Sequence, residues 1–484
     1  MMHAKGIVRN IPPLEILSQD QVERIHRGAL EVLETTGVEV ESRRALEFYQ
    51  KGGCIVELES HRVRFPSELV LHCIRQCPTS FRMRALDPRN DLILGGNVVY
   101  SGLFSGLRTV DLDTWETRIP TVQDNHDANK IADGLENVHG SPSYTPYCEF
   151  VDEPPVMFLP ISTWSRLKYL SKVSRIGTTM GSHIWELQMA QALDVDIYGA
   201  MEGPPPLTWN KDATDCAIDC AEAGFPVEPA AGGAMGATYP ATIAGALVIS
   251  MAEVMSGLVL VQIVRPGNPV IVNCFGPPLN MRTGHLKFGA ISISLYLASW
   301  NQIWRTMYGI PIMNGGIGAS NSKSIDFQCA YEKSVGILLS AQSGANWINT
   351  VGGLTGELTY HPVLSVLEND VLGYIGRFLE GVIVDDETLA IDLIEETGPI
   401  PGNYLDKAHT RKWWKLEQFM PHVADILPYP QWLKSGKKST LDMARERADY
   451  LLKTWESKLP PGKEKELDKI LEECRQWYKK KGLI

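Results

Sequence analysis

The 484-residue sequence predicts an α/β fold: a TIM (β/α)8 barrel with an N-terminal α+β accessory layer and a C-terminal helical extension. Eight strand-like runs alternate with segments long enough for helices, and several of these runs end in glycine or proline. Parallel strands need a helical crossover, and eight such units close into a barrel. An open doubly wound sheet is the alternative, but no dinucleotide-binding glycine fingerprint follows the first strand.

The chain divides into three predicted parts. Residues 1–95 form the accessory layer, residues 96–400 the barrel, and residues 401–484 a helical extension that is rich in tryptophan and lysine. The predicted barrel strands cover residues 97–102, 137–144, 175–181, 205–210, 225–231, 268–275, 310–316 and 346–353.

Composition narrows the class of protein. The net charge of -11 argues against a nucleic-acid partner, because phosphate binding needs a concentrated basic surface. The nine scattered cysteines suit a reducing compartment, and the N-terminus lacks the apolar core of a signal peptide. We therefore expect a cytoplasmic protein, and we also expect it to form a homo-oligomer.

The most hydrophobic helix candidate covers residues 238–264, and its apolar length approaches that of a membrane span. It contains Glu253 and Gln262, follows a glycine-rich loop and leads directly into the next strand-like run. A buried helix, with no membrane contact, is therefore predicted.

Aromatic residues dominate the predicted strand exits, which form the active-site end of a TIM barrel. Any one of these rings could simply be a packing residue. Together they favour a cationic or flat apolar ligand, since an aromatic face attracts a quaternary ammonium by roughly 0.5–2 kcal/mol per ring. The predicted substrate-binding rings are Tyr100, Phe104, Tyr144, Trp209 and Phe275.

Few polar side chains are predicted at the same end. Arg282, Asn314 or the backbone amides of the glycine-rich loops are candidates for binding a substrate carboxylate, although Arg282 could equally form a structural ion pair. Asn314 and His361 are candidates for positioning the reacting groups. His361 begins a predicted helix, so a histidine that merely hydrogen-bonds to the backbone is an equally good interpretation.

Other site chemistries find little support in the sequence. Four residues near strand exits, Cys148, His183, Cys274 and His361, have no metal-ligand spacing, so neither a bound metal nor a nucleotide is expected. There is no Gly-x-Ser-x-Gly elbow. The glycine-rich AGGAMGATYP (231–240) lacks the Lys-Ser/Thr of a phosphate-binding loop.

Several long motifs resemble the trimethylamine methyltransferase superfamily. They are GGAMGATYPATIAGALVISMAEVMSG (232–257), RPGNPVIVNCFGPPLNMRTG (265–284), NGGIGASNSKSIDFQCAYE (314–332) and ENDVLGYIGRFLEGVIVDDETLA (368–390). The resemblance implies a barrel that moves a methyl group from an amine to the cobalt of a corrinoid, which a small partner protein carries.

The resemblance also implies where the corrinoid approaches. Its expected contacts are the glycine-rich loops and two polar side chains, namely Gly233, Gly236, Gly315, Gly316, Gln328 and His361. Trimethylamine enzymes of this superfamily carry pyrrolysine in the barrel, expected near residues 313–323. This chain has only standard residues there.

The missing pyrrolysine bears on the substrate. A quaternary ammonium leaves as a neutral tertiary amine and needs no activation, so a member without pyrrolysine is expected to use a quaternary amine, with glycine betaine first and other betaines or carnitine as alternatives. A barrel lyase, a methyltransferase with another acceptor, and a non-catalytic barrel that binds a quaternary amine or corrinoid remain competing interpretations.

Overall fold

The computed structural model describes residues 6–356 and 358–484, so the first five residues of the predicted accessory layer lie outside it. Eight parallel strands pair in sequence order, and the last pairs with the first, which closes a barrel and confirms the predicted fold class. The barrel strands are β1 (Val98–Leu103), β2 (Gly140–Ser141), β3 (Val173–Ile176), β4 (Ile197–Glu202), β5 (Val227–Ala231), β6 (Val272–Cys274), β7 (Ile312–Asn314) and β8 (Trp347–Val351).

The fourth predicted strand was wrong. The run at residues 205–210 contributes only the short strand Thr208–Trp209, which pairs with Val38–Val40 in the N-terminal layer. The barrel strand is instead Ile197–Glu202, whose sequence IYGAME carries few β-branched residues but is buried by its neighbours on both sides. Tertiary burial here outweighed local strand propensity.

Helices α4 to α11 follow β1 to β8 in turn and surround the barrel. The helices are α1 (Gln19–Thr35), α2 (Arg43–Lys51), α3 (Ser67–Gln76), α4 (Val122–Asp133), α5 (Phe158–Tyr169), α6 (His183–Leu193), α7 (Lys211–Ala223), α8 (Ile243–Val264), α9 (Ile291–Met307), α10 (Phe327–Ser343), α11 (Pro362–Glu380), α12 (Asp386–Leu389), α13 (Ile391–Thr397), α14 (Ala408–Glu417), α15 (Tyr429–Lys434), α16 (Thr440–Thr454) and α17 (Lys463–Lys480).

Helix α8 is apolar around its whole circumference, and the surrounding protein buries most of it. Its most apolar 18-residue window has a mean hydropathy of 2.1 and is 78% buried. The N-terminal helices α1 and α3 pack on its outer face, and β5 lies on its inner face. Length and hydropathy alone fit a membrane span, but the packing is that of a core helix.

The N-terminal layer combines helices α1 to α3 with a small sheet. Strand Arg62–Arg64 pairs antiparallel with both Val38–Val40 and Ile55–Glu57. One segment joins the barrel itself, because Ile7–Val8 pairs antiparallel with β1. The layer is thus connected to the barrel by both helix packing and strand pairing.

A hairpin closes the amino-terminal end of the barrel. Its strands, Ser80–Met83 and Leu92–Gly95, pair antiparallel and place apolar side chains against the barrel interior. The resulting buried cluster, which we call the apolar plug, consists of Met83, Ala85, Leu92, Leu94, Tyr100, Val173, Tyr198, Ile271, Met313 and Trp347.

The C-terminal extension is helical, as predicted, and packs on the outside of the barrel. Helix α16 lies against α11 and α4, and α17 lies against α5 and α6. Asp370 of α11 accepts hydrogen bonds from the backbone N–H groups of His422 and Val423, at 2.8 Å each, which attaches the extension to the barrel.

Candidate active site at the carboxyl ends of the barrel strands

A cavity of about 560 Å³ opens among the loops at the carboxyl ends of the strands. This is the end at which TIM barrels place their active sites, because the loops that follow all eight strands converge there. Every barrel strand or its following loop contributes to the wall, including Phe104, Ser143, Tyr144, Arg175, Glu202, Ala230, Asn273, Phe275, Gly315 and Asn349.

Three of the five predicted aromatic residues, Phe104, Tyr144 and Phe275, lie in this wall. The Phe275 ring stacks on Phe288, with centroids 5.8 Å apart and an interplanar angle of 18°. Burial raises the pKa of the Tyr144 hydroxyl to about 12, so that group is neutral at physiological pH. The wall therefore offers ring faces and a neutral phenol rather than a phenolate.

An ion cluster lies beside the rings, and the sequence analysis did not anticipate it. The Arg175 guanidinium contacts two carboxylates: Nη2 hydrogen-bonds to Glu202, and Nε lies 2.6 Å from Glu228 Oε2. Its Nη1 donates to the Ser143 hydroxyl at 2.8 Å. Asn273 Nδ2 donates to Glu228 Oε1 at 2.6 Å. When all three are ionised, two carboxylates face one guanidinium and leave one negative charge uncompensated.

The cluster contains buried polar atoms that lack hydrogen-bond partners among the described residues. Glu228 is fully buried, and its Oε2 contacts Arg175 as an ion pair without the alignment of a hydrogen bond. Asn273 is 5% exposed, lines the cavity, and its Oδ1 accepts no hydrogen bond. Unsatisfied groups of this kind are costly and mark places where a ligand, water or proton is expected.

Burial is the main cause that raises the pKa of Glu228 to about 7. Arg175 opposes this shift and Glu202 adds to it, because a second carboxylate nearby disfavours a second negative charge. The Glu202 side chain is 40% exposed and remains in contact with solvent. The two carboxylates of the cluster are therefore not equivalent.

The cluster left a signal in the sequence that could have been used. Arg175, Glu228 and Asn273 lie within predicted strands, in RIGTTMG, FPVEPAA and NPVIVNCF, where flanking residues are apolar or small. Strands of a parallel barrel are buried on both faces, so a charged side chain there needs a partner. Charges inside buried strands, rather than aromatic residues at their ends, identify this part of the site.

The other two predicted rings lie elsewhere, which corrects their assignment to the rim. Tyr100 points into the apolar plug at the opposite end of the barrel, where its hydroxyl hydrogen-bonds to the backbone of Ile93. Trp209 is 2% exposed in the N-terminal layer, and its indole N–H donates to the Ser256 hydroxyl at 2.8 Å. Trp209 was misplaced because its strand was assigned to the barrel.

Asn314 and His361 also lie outside the cavity wall. Side chains alternate along a strand, and Met313 points into the barrel, so Asn314 points outward to the helices. There its amide exchanges hydrogen bonds with Asn301, at 2.9 Å each way. His361 is the N-cap of α11, and its Nδ1 accepts from the Val363 N–H at 3.1 Å. Burial lowers the pKa of His361 to about 4, so it is neutral at physiological pH.

The remaining predicted polar residues are peripheral. Arg282 is exposed on the loop after β6. Gln328 donates to Glu332 Oε1 at 2.9 Å, and both side chains line a separate cavity of about 620 Å³ beside the loop after β6. Neither Arg282 nor Gln328 lies in the wall of the cavity at the strand ends.

Most of the four predicted glycines serve packing or chain geometry. A Cβ at Gly233 would lie 2.2 Å from the ring of Tyr239, and one at Gly316 would lie 1.5 Å from the ring of Phe275. Gly236 has a φ of +90°, which favours glycine. Of the four, Gly315 lines the cavity, where its bare backbone approaches the Asn273 amide.

No group of three or more His, Cys, Asp and Glu side chains arranged to hold a metal ion occurs within residues 6–356 and 358–484. The cavity wall itself presents one ion cluster and three aromatic rings. Such a wall can bind a cation, orient it and exclude water from part of it.

Known proteins are similar to this chain in sequence over nearly their whole length. Glycine betaine methyltransferase of Desulfitobacterium hafniense is 29% identical over 478 residues, covering 96% of each chain. Trimethylamine methyltransferase MttB of Methanosarcina thermophila is 26% identical, covering 92% of this chain and 94% of its own. The monomethylamine methyltransferase MtmB of Methanosarcina barkeri is a structural neighbour, with 12% identity, a TM-score of 0.46 and coverage of 90% and 95%.

The family description "Trimethylamine methyltransferase (MTTB)" matches residues 1–476, which is nearly the whole chain. The resemblance in the glycine-rich motifs is thus confirmed over all three parts of the molecule. This chain belongs to the trimethylamine methyltransferase family and is a methyltransferase.

Proposed function

We propose that this protein moves a methyl group from a quaternary amine, with glycine betaine as the first candidate, to Co(I) of a corrinoid carried by a small partner protein. The observation that supports this most directly is the cavity wall, where three aromatic side chains lie beside an ion cluster with excess negative charge. A cytoplasmic location is part of the same proposal.

The wall suits a cation that cannot donate hydrogen bonds. A quaternary ammonium is attracted by aromatic faces through their quadrupole, and Phe104, Tyr144 and Phe275 supply such faces. Glu202 adds a partly solvated carboxylate at the same wall. Both features attract positive charge without requiring an N–H donor from the ligand.

The chemistry needs little from the protein beyond position. A quaternary amine departs as a neutral tertiary amine, so no side chain has to supply a proton to it. The chain accordingly has only standard residues. Alignment of the donor nitrogen, the methyl group and the acceptor can contribute roughly 7–11 kcal/mol in the best intramolecular cases. Binding that is equally strong in ground and transition states would not raise turnover.

In this proposal the corrinoid acceptor would approach from the open end of the cavity. A Cβ at Gly232, which lines the cavity, would meet no atom within 4 Å. The bare backbone of the loop after β5 is therefore accessible from the cavity. The corrinoid would supply the nucleophilic cobalt, and the residues of the cavity wall would hold the methyl donor.

The three donor nitrogens of Arg175 are already engaged, by Ser143, Glu202 and Glu228. A substrate carboxylate that binds this guanidinium would compete with Glu202 and Glu228 for the same positive charge. Choline, which has no carboxylate, should therefore be tested beside glycine betaine.

The test is a methyl-transfer assay. Purified protein is mixed with Co(I) cobalamin and glycine betaine or choline, and the Co(I) absorbance is followed while the demethylated amine is measured. We expect loss of the Co(I) spectrum together with one demethylated amine per cobalt. A zinc chelator should have no effect on the rate.

Two outcomes would argue against the proposal. Binding of quaternary amines without any methyl transfer would favour a sensor or carrier. Transfer that stops with the chelator would favour metal-assisted chemistry.

A further inference from the structure

We infer that the Glu202–Glu228 pair holds a proton when the cavity is empty and releases it when a quaternary ammonium binds. This inference rests on the proposed function, because it takes the substrate to be a cation. It goes beyond that function by making substrate binding dependent on pH through a named pair of side chains.

The first step is the charge balance around the pair. Arg175 is the cation in direct contact with both carboxylates. Tyr198 of β4 and Asn273 of β6 also face Glu228, and Tyr144 faces Glu202, but these three groups are neutral at physiological pH. The innermost shell therefore has an excess of one negative charge when both carboxylates are ionised.

The charged groups that lie beyond these direct contacts do not change the net charge around the pair. They add one cation, Arg166 of α5, and one anion, Glu186 of α6. Arg166 is fully buried and donates to backbone oxygens of Thr145 and Arg175, so it is committed to holding the loop and strand together. An uncompensated charge at so buried a position raises the free energy of the folded protein. Binding a proton neutralises one carboxylate and removes that penalty.

Geometry identifies which carboxylate takes the proton. Glu228 is fully buried and its Oε2 has no hydrogen-bond partner among the described residues, whereas the Glu202 side chain is 40% exposed. The pKa of Glu228 is raised to about 7, mainly by burial and further by Glu202. Around neutral pH the empty site is therefore a mixture of protonated and ionised forms.

A bound quaternary ammonium can balance the charge that the proton balances in the empty cavity. It would lie against Glu202 in the cavity wall and one side chain away from Glu228, behind Arg175 and Asn273. Its positive charge then compensates the second carboxylate, and the proton leaves to solvent. No bond other than the O–H bond of the carboxylic acid breaks in this step.

The coupling between cation binding and proton release can be measured. If the cation fully replaces the proton, up to one proton is released per ligand below the raised pKa of Glu228, and the release falls to zero above it. Affinity for the cation should rise about tenfold between pH 6 and pH 8 and then level off. A ligand without charge should show neither effect.

The experiment is calorimetric titration of the full chain in phosphate and in Tris, whose ionisation enthalpies differ. The probes are choline and glycine betaine, each compared with its carbon isostere, 3,3-dimethylbutan-1-ol and 3,3-dimethylbutanoate. We expect the two ammonium ligands to release protons at pH 7 and the two isosteres to release none.

Two variants make the result specific. Glu228→Gln should keep measurable cation binding but lose proton release and the rise of affinity with pH. Glu253→Gln is the matched control, because Glu253 is another buried carboxyl whose pKa is raised to about 7, but it lies on α8 with Tyr239 as its partner. Proton release should persist in that variant.

The outcomes separate this inference from the proposed function. Cation binding and methyl transfer without proton release, or proton release that survives Glu228→Gln, would overturn the inference and leave the methyltransferase proposal standing. Failure of every quaternary amine to bind would overturn both.

Discussion

The two ends of the barrel are built from the same strands but in opposite ways. At the amino-terminal end, the apolar plug fills the interior with side chains such as Met83, Leu94 and Trp347, all fully buried. At the carboxyl end, Arg175 and Glu202 line an open cavity, and Glu228 lies behind Arg175. Polar atoms of this cluster lack hydrogen-bond partners within residues 6–356 and 358–484.

The change happens within a few residues of each strand. In β3 the inward side chain at the plug is Val173, and two residues later it is Arg175. In β6 the sequence passes from Ile271 at the plug to Asn273 at the cavity. The plug thus provides packing energy, and the cavity provides the unsatisfied charge that a ligand can use. Substitutions at the two ends should therefore differ in their effects on ligand affinity and on the free energy of unfolding.

The largest effect is expected from Arg175→Met at the cavity end. It would leave two carboxylates without their cation, and loss of one partner from a buried ion pair costs about 3–5 kcal/mol of the free energy of unfolding. Urea denaturation measures the loss. The double variant Arg175→Met/Glu228→Gln should recover a substantial part of it, and equal losses in both would show that the cluster is not an electrostatic unit.

A similar but slightly smaller loss is expected at the plug. Leu94→Ala removes a fully buried side chain from the hairpin and should lower the free energy of unfolding by about 2–5 kcal/mol. Choline affinity of the folded fraction should not change, because Leu94 lies at the far end of the barrel from the cavity. A parallel loss of affinity would mean that the two ends are coupled.

A smaller effect, confined to ligand selectivity, is expected from Phe275→Leu. Loss of one ring should weaken choline by about 0.5–2 kcal/mol, or 2–30-fold, while 3,3-dimethylbutan-1-ol is affected less. Trp209→Phe is the control, because Trp209 lies outside the cavity wall and should affect stability without selectivity. Equal weakening of cation and isostere by Phe275→Leu would show that its ring acts only in packing.

The smallest effect is expected at His361, the N-cap of α11. His361→Ala removes the N-cap of α11 and should cost about 1 kcal/mol, whereas His361→Asn should retain most of the cap. The folded pKa of His361 lies below its ordinary value, so the unfolded chain binds the proton more readily. Stability therefore falls as pH drops from about 6.5 to 4, and this slope should be weaker in His361→Asn.

Much of the fold was predictable from the sequence because strand and helix lengths alternate so regularly. Seven of the eight predicted barrel strands contain or overlap the observed ones, and the glycine-rich exits lie where the cavity is. The error at residues 205–210 arose because local composition does not separate PPLTWN from IYGAME, and only the neighbouring strands of the latter reveal its burial.

The site was less predictable because single residues have directions that a sequence pattern does not give. Asn314 was expected at the mouth but faces the helices, since Met313 occupies the inward position of β7. Tyr100 points into the barrel, but into the apolar plug at the amino-terminal end rather than into the cavity. Conversely, Glu228 was overlooked in the middle of an apolar strand, because its ion-pair partner, Arg175, comes from another strand.

Helix α8 has a consequence for how this chain can be made. A segment as hydrophobic as a membrane span needs cover as soon as it leaves the ribosome, and α1 and α3, which provide that cover, precede it in the sequence. Because the chain is made from its N-terminus, α1 and α3 are synthesised before α8 leaves the ribosome. A shortened gene that starts at β1 would encode the whole barrel but leave the face of α8 that α1 and α3 cover exposed to water, and its product should aggregate or be captured by chaperones during translation.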